Sequence, residues 1–247
     1  MRHKLVLHEA NPHFIHHQKS TPSTAVFREI IFGMEDGMVS TMGAVTGIAA
    51  ASQNHFMVVL SGIVIIAVES ISMAVGSYLS TKSEKEIDER KIQEELVELR
   101  DFPAEEQQEL KEMYTAVGWP KELAGAMAAA AAKDEKIFLQ EMAFRELKII
   151  PENMQHPLKN GIAMGISYIV GGAIPLLPYL LYNNSSQAIP VSVGFTLCAL
   201  FALGVYTTKF SRRAWWKAGF EMLALASAAG FVGYYVGQMV DVFWIKK

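Results

Sequence analysis

The chain has 247 residues, of which 51% are hydrophobic and 19% are charged. It is too apolar for an ordinary soluble domain, so the composition predicts a polytopic membrane protein with one polar insert. The net charge of −3 says little, because the charges are unevenly distributed, but the absence of a basic face argues against a nucleic-acid partner. A single cysteine, Cys198, excludes an intramolecular disulfide.

Residues 1–23 form a polar tail that holds five of the seven histidines: His3, His8, His13, His16 and His17. Imidazole is a common metal ligand, so loose metal capture is one interpretation. The spacing fits neither one helical face nor a closed zinc site, which favours a surface tail. The tail also lacks the apolar core of a signal peptide.

Residues 24–51 are the first predicted span, although they contain three acids: Glu29, Glu35 and Asp36. On a helix, one small and polar stripe follows spacings of 3, 4, 3 and 4: Gly33, Asp36, Ser40, Gly43 and Gly47. An intramembrane carboxylate is costly and usually faces a cavity or a partner. The stripe therefore predicts either a transported-ion site or a buried polar contact between helices.

The second predicted span, residues 56–80, has one ionisable residue, Glu69, with Met73 one turn further on. A methionine in a membrane helix is either core filler or, beside a carboxylate, a candidate metal ligand. No Gly or Pro follows between Gly76 and Pro103. Because a span needs only about 20 apolar residues, one helix is expected to continue from the membrane into an acidic segment outside it.

Residues 84–150 are the polar insert, which Pro103 and the turn at Gly118 to Pro120 divide into three predicted helices. These are the extension of the second span to about residue 99, then 104–116, then 121–149. Pairs with helical spacing share a face of each helix: Glu95 with Glu98, Glu106 with Glu109, and Met142 with Glu146. Clustered carboxylates repel one another unless a cation lies between them, so the pairs indicate a metal site or a solvated acidic face.

Three further spans are predicted at residues 157–182, 189–208 and 218–244. The basic, tryptophan-bearing segment 209–217 is typical of a cytoplasmic interface, which places the insert and the N-terminus in the cytoplasm. The predicted fold is an all-α polytopic membrane protein with five transmembrane helices and a cytoplasmic three-helix insert between the second and third. Its predicted parts are residues 1–23, 24–80, 81–152 and 153–247.

The segments REIIFGMEDGMVSTMGAVTGIAAA and ESISMAVGSYLSTKSEKE, followed by the acidic insert and three more spans, resemble the vacuolar iron transporter family. The likeness extends from Arg28 over nearly the whole chain. It implies five membrane helices per subunit, a homodimer, and export of Fe²⁺ from the cytosol in exchange for protons.

By that resemblance, Asp36 and Met73 match the residues that translocate metal in the first two helices. The residues that match the cytoplasmic metal-binding domain are Glu95, Glu98, Glu106, Glu109, Met142 and Glu146. The sequence departs from the family pattern in two places. Ala143 follows Met142 where the family usually has Glu, with Glu141 on the other side, and Glu69 lies later than the usual acid of the second span.

The resulting hypothesis is a proton-coupled Fe²⁺ transporter, not an enzyme, in which Glu29 and Glu69 join Asp36 along the path. Thioether ligands soften a carboxylate site toward Fe²⁺, although Mn²⁺, Zn²⁺ and Co²⁺ remain candidates. Protonation of a carboxylate removes its charge and releases the cation.

Three alternatives remain for the sequence. One is an Mn²⁺ or broad divalent-cation transporter of the same family, and another is a membrane metal sensor or storage protein. A membrane-anchored di-iron enzyme is disfavoured, because such sites use Glu-x-x-His pairs and the insert has no histidine before His156. The membrane is expected to be a prokaryotic plasma membrane or that of a vacuole or similar organelle.

Overall fold

The computed structural model describes residues 24–52, 54–150, 154–182, 184–211, 213–224 and 226–227, and these contain helices and no strand. The predicted N-terminal tail lies outside the described residues. The helices are α1 Thr24–Ser52, α2 His55–Asp101, α3 Pro103–Ala116, α4 Lys121–Ala131, α5 Glu135–Arg145, α6 Pro157–Leu181 and α7 Ser185–Ser211. Residues 215–224 are also helical.

The long helix α2 is continuous over 47 residues, as its lack of Pro and of Gly after Gly76 predicts. At 1.5 Å per residue it is about 70 Å long, more than twice the thickness of a bilayer core. It begins after Asn54, whose side chain accepts a hydrogen bond from the backbone of Met57 at 3.3 Å. It ends at Phe102, directly before Pro103 begins α3.

Three of the described helices are long and apolar enough to cross a membrane: α2, α6 and the Gln187–Ser211 part of α7. Helix α1 is as long, but its acids and small polar residues lower its hydropathy. Most of the predicted fifth span, 218–244, lies outside the described residues, so the count of five spans stays a prediction. Helix α2 carries exposed apolar side chains, among them Val64, Val68 and Ile71, as expected of a helix in a membrane.

Helix α6 packs against both α1 and α2, because its glycines allow backbones to approach closely. A Cβ added to Gly161 would lie 2.8 Å from the carbonyl oxygen of Ala74 in α2. A Cβ added to Gly171 would collide with the carbonyl oxygen of Met34 in α1 and lie 2.9 Å from its Cα. Close packing on two sides makes α6 the centre of the described membrane helices.

The predicted glycine stripe of α1 divides into two parts. A Cβ on Gly33 would lie 2.7 Å from the Met164 carbonyl oxygen of α6, so this part is packed within the chain. Among the described residues, no atom lies within 4 Å of a Cβ added to Gly43, Gly47 or Gly76 of α2. The described part of the chain therefore leaves these three positions uncovered.

The prediction of a single third insert helix over 121–149 is wrong, since α4 and α5 replace it. The Asp134 carboxylate accepts hydrogen bonds from the backbone N–H groups of Lys136 at 2.9 Å and Ile137 at 3.2 Å. Capping by Asp134 starts a new helix, α5. It does so although the composition of residues 121–149 favours one uninterrupted helix. The insert therefore contains α3, α4 and α5 beside the extension of α2.

Apolar side chains from all four helices form the core of the insert: Leu99, Leu110, Tyr114, Ala124, Ala128, Ala131, Phe138 and Met142. The alanines on α4 have small side chains, which leave room for close helix contact. This core fixes the ends of α2, α3 and α5 relative to one another, and so positions their acidic side chains.

The packing predicts that Gly171→Ala destabilises the protein, because the new methyl group meets backbone atoms that cannot move aside. Overpacking of this kind costs about 1–3 kcal/mol. Gly194→Ala on α7 is the matched control, since none of the described residues has an atom within 4 Å of its added Cβ. Thermal unfolding in detergent should show a lower midpoint for Gly171→Ala only; equal midpoints for the two variants would contradict the close α1–α6 contact.

Candidate metal sites

The insert brings together three carboxylates that are far apart in sequence. The facing oxygens of Glu95, Glu106 and Glu146 all lie within 4.8 Å of one another. Glu95 comes from α2, Glu106 from the first turn of α3, and Glu146 follows the last residue of α5. Two oxygen ligands on one divalent cation are separated by at most twice the bond length, about 4–5 Å. The three oxygens, here called the carboxylate trio, are thus close enough to share one ion.

Two members of the carboxylate trio are withdrawn from water. Glu95 is 3% exposed and Glu106 is 8% exposed, whereas Glu146 is open to solvent. The Oε1 atom of Glu95 is buried and has no hydrogen-bond partner among the described residues. An unsatisfied buried oxygen is costly, and a bound cation would supply the missing partner. Glu146 leaves one side of the trio accessible to an arriving ion.

Burial and mutual repulsion raise the pKa values of the carboxylate trio. Burial, followed by the charges of Glu146 and Glu106, raises the pKa of Glu95 to about 8. Burial and the neighbouring charge of Glu109 raise the pKa of Glu106 to about 7, and the same two causes raise the pKa of Glu146. At neutral pH the trio therefore retains protons that a divalent cation can displace.

The other insert residues singled out by the sequence lie around the carboxylate trio in two different settings. Glu98 and Glu109 are exposed, and their charges raise the pKa of Glu106 and of Glu146. Met142 is fully buried in the insert core, one turn before Glu146. The acidic faces of the insert helices therefore converge, as predicted, at the carboxylate trio. Glu98 and Glu109 lie near enough for their charges to act on the carboxylates of the trio.

Position 143 is an alanine where the family pattern has a glutamate. Glu141 does not substitute for that glutamate, because its carboxylate is already hydrogen-bonded to other residues of the chain. Its carboxylate accepts hydrogen bonds from the Tyr114 hydroxyl at 2.9 Å and from Nε of Arg145 at 3.0 Å. The Arg145 guanidinium also lies 4.2 Å from the centre of the Tyr114 ring. Ala143 itself is buried. This departure from the family pattern thus leaves Glu141 neutralised by an ion pair.

A second group of acids lies between the membrane helices, and its outermost member is Glu29. This carboxylate is 6% exposed and accepts hydrogen bonds from Ser77 of α2 at 2.8 Å and from Arg28 at 3.1 Å. Asp36 follows seven residues later, about 10 Å along α1. Acidic side chains therefore lie along one face of α1, from the start of the helix toward its middle.

Asp36 and Glu69 are close enough to interact electrostatically, and both are half-buried. Glu69 accepts a hydrogen bond from the hydroxyl group of Tyr168 in α6. The same hydroxyl oxygen lies 2.5 Å from Oγ of Ser40 in α1. Met73, half-buried, is one turn from Glu69 on α2. Helices α1, α2 and α6 thus converge on one polar position, here called the intramembrane acid pair, Asp36 and Glu69.

Tyr168, which links the three helices at the intramembrane acid pair, is not among the residues predicted from the sequence. A signal was present in α6, where Gly161, Gly165, Tyr168 and Gly172 follow at spacings of 4, 3 and 4 and share one face. A tyrosine within a stripe of glycines marks a polar group at a close helix contact. Identifying its partners still requires the three-dimensional packing.

Comparison with known proteins agrees with the resemblance seen in the sequence motifs. A model of the VIT family matches residues 27–238. Vacuolar iron transporter 1 of Arabidopsis thaliana is 31% identical over 219 residues, covering 87% of this chain and 88% of the plant protein. Vacuolar iron transporter 1 of Oryza sativa subsp. japonica is 28% identical over 232 residues, 94% of this chain and 92% of the rice protein. The vacuolar iron transporter of Plasmodium berghei is 26% identical over 242 residues, which cover 94% of this chain and 88% of the Plasmodium protein.

The raised pKa values of Glu95 and Glu106 predict a pH-dependent stability. Both exceed the ordinary value of 4.5, so the folded protein binds more protons than the unfolded chain between about pH 5 and 8, and stability falls as pH rises through that window. With divalent metal chelated, the thermal midpoint should therefore decrease toward pH 8. In the double variant Glu95→Gln/Glu106→Gln, the thermal midpoint should decrease less between pH 5 and 8. An unchanged pH dependence in that variant would contradict the raised pKa values of Glu95 and Glu106.

Proposed function

Because the chain belongs to the VIT family, we propose that it is a proton-coupled transporter that exports Fe²⁺ from the cytosol. The family consists of membrane metal transporters, so the chain is an integral membrane protein and not an enzyme. The relatives named above are iron transporters by name, which favours iron as the cargo. The exported ion would enter a vacuole or similar organelle, or leave a prokaryotic cell.

The observation that carries the proposal is the intramembrane acid pair. Carboxylates between membrane helices are costly, and they mark ion pathways because a mere anchor has no use for them. Asp36 and Glu69 come from different helices and interact, so together they offer two negative charges to a divalent cation. Met73, one turn from Glu69, adds a soft thioether, which favours Fe²⁺ over harder cations. Glu29 would bind the ion near the entrance.

The insert would gather metal at the membrane surface before transport. Its proposed ligands are Glu95, Glu98, Glu106, Glu109, Met142 and Glu146. The short oxygen separations and the raised pKa values of the carboxylate trio support this role. The insert and the N-terminus would then lie on the cytosolic side, where metal is loaded.

Proton exchange would release the ion on the far side of the membrane. Each proton that binds a carboxylate of the acid pair removes one negative charge and so weakens the hold on the cation. A proton gradient directed toward the cytosol would thereby drive metal outward. The two charges of Asp36 and Glu69 match those of one divalent cation.

A homodimer is the proposed assembly. No described residue covers Gly43, Gly47 or Gly76, although glycines in membrane helices commonly mark close helix contacts. A second copy packing on these positions would bring its own α1 and α2 next to those of the first. The translocation path would then lie between the two subunits.

Two further readings remain as alternatives. A transporter for Mn²⁺ or a broad set of divalent ions, including Zn²⁺ and Co²⁺, would use the same acids, because carboxylates bind them all. The carboxylate trio, considered without the intramembrane acid pair, favours a sensor or storage protein. Binding of metal by such a protein requires no path across the membrane. Flux measurements with Fe²⁺ and Mn²⁺ in parallel separate these readings.

Asp36→Asn should abolish gradient-driven metal uptake while leaving the protein folded, because the amide keeps the shape but removes the charge that holds the cation. The measurement is uptake of Fe²⁺ and Mn²⁺ into proteoliposomes, with and without a pH gradient. Met73→Ala should reduce Fe²⁺ uptake more than Mn²⁺ uptake, as expected for loss of a soft ligand.

Glu221→Gln is the control for this measurement, because Glu221 is an exposed acid outside both proposed sites that pairs with Arg213 at 3.1 Å. It should transport like the unaltered protein. Full transport by Asp36→Asn would reject the role of that residue. No flux of either ion in the unaltered protein, with tight binding to the insert retained, would move the assignment to a sensor or storage protein.

Glu95→Gln should weaken metal binding to the insert more than it lowers maximal transport, since its buried oxygen loses the charge that the cation requires. Removing one charged ligand of this kind is expected to cost about tenfold or more in affinity. Glu94→Gln is the matched control, one position earlier on α2 and exposed. Calorimetric titration of the full chain in detergent measures both affinities, and equal values for the two variants would reject the trio as a metal site.

A further inference from the structure

The turn between α3 and α4 presents apolar side chains at the surface of the insert. Val117 is 71% exposed, Trp119 is 45% exposed and Leu123 is 43% exposed. The turn is nevertheless ordered, because the backbone N–H of Trp119 donates to the carbonyl oxygen of Tyr114 at 3.2 Å. Gly118, with a φ of 107°, supplies the left-handed conformation that this kind of helix ending requires. Residues 117–123 are here called the apolar turn.

The apolar turn lies at the end of the insert that faces the membrane. Helix α5 begins beside the far end of α2, where Arg100 pairs with Glu135 at 2.8 Å, and it packs along α2. At its other end, the guanidinium carbon of Arg145 lies 4.2 Å from the centre of the Tyr114 ring. Tyr114 is only three residues before Val117. The end of α3 is therefore level with the end of α5, where the chain turns back toward α6.

The residues that follow α5 show how near the apolar turn comes to the membrane. Leu147 and Lys148 line one cavity together with Thr81 and Asp88 of α2. Thr81 and Asp88 follow Leu79, the last apolar residue of the uncharged run, by about 3 Å and about 14 Å along the helix axis. The headgroup layer of a bilayer is about 5–8 Å thick on each side. A side chain at this level of α2 can therefore reach that layer.

We propose that the apolar turn inserts into the headgroup layer of the membrane that α2 crosses. Tryptophan favours this layer, because its ring is apolar and its N–H group still finds a polar partner there. Val117 and Leu123 add apolar area, and the exposed charges of Lys121 and Glu122 offset each other. Apolar insertion, and not attraction to anionic lipid, therefore holds the turn. The contact requires neither metal nor transport, so it is independent of the proposed function.

A second copy of the chain is the other class of partner that an apolar surface could bind. The position of the apolar turn favours lipid, because the bilayer lies beside this end of the insert. Phe102 provides a matched control within the same insert. It is 57% exposed, and it lies between α2 and α3 at the opposite end, beside the pair of Arg100 and Glu135. A membrane contact should involve position 119 and leave position 102 in water.

The first measurement places a bimane fluorophore at each position in turn. In a Cys198→Ser background, the variants Trp119→Cys and Phe102→Cys are labelled in nanodiscs of neutral phosphatidylcholine, which leave both membrane faces accessible. Phosphatidylcholine with a nitroxide on its headgroup should quench the label at position 119 several-fold more than the label at position 102. Iodide in the buffer should show the reverse order.

Two outcomes of this measurement would overturn the proposal. Equal quenching of the two labels by iodide would mean that the apolar turn is in water. A label at position 119 that is protected from iodide but not quenched by the nitroxide lipid would indicate a second copy of the chain as the partner.

The second measurement leaves the apolar turn unlabelled. Tryptophan emission of the unaltered chain and of Trp119→Phe is compared in nanodiscs with and without brominated phosphatidylcholine. Both proteins contain the other three tryptophans, Trp215, Trp216 and Trp244, so the difference between their emissions belongs to Trp119. Brominated lipid should remove most of that difference. A difference that brominated lipid leaves unchanged would overturn the proposal.

Discussion

The cost of removing a carboxylate from water governs the arrangement of this molecule. An acid withdrawn from solvent must find hydrogen-bond donors, a counter-charge or a cation. Glu29 finds Ser77 and Arg28, and Glu141 finds Tyr114 and Arg145. Among the described residues, the buried Oε1 of Glu95 in the carboxylate trio has no comparable partner, and Asp36 faces another acid, Glu69. Glu141 is thus neutralised within the chain, whereas the carboxylate trio and the intramembrane acid pair hold acids that a cation would stabilise.

Close helix packing makes the intramembrane arrangement feasible. The glycines of α6 let α1 and α2 approach from two sides, so that one tyrosine hydroxyl reaches polar groups on both. In an environment without water, such contacts must be built from side chains of neighbouring helices. The same glycines therefore serve both stability and chemistry, because any increase in the distance between the helices would separate Tyr168 from Glu69.

Much of the candidate site was predictable because it depends on spacing within single helices. The unbroken α2 follows from a run without Gly or Pro, and the grouping of Glu95, Glu106 and Glu146 follows from short turns between amphipathic helices. The break at Asp134 was missed, because a capping side chain competes locally with a strongly helical composition. The bond between Tyr168 and Glu69 was also missed, since the two residues are 99 positions apart and only the packing of α6 joins them.

The unbroken α2 has a mechanical consequence. Glu69 and Glu95 lie on one continuous helix and are separated by about 40 Å along its axis. A hydrogen-bonded helix resists twisting and shortening, so an axial shift or rotation imposed at one end is imposed at the other as well. If the carboxylate trio bound an ion as proposed, the ends of α2, α3 and α5 would be drawn together, and any turn of α2 that resulted would also turn the face that presents Glu69 to α1 and α6. The carboxylate trio and the intramembrane acid pair are thus joined by one continuous helix.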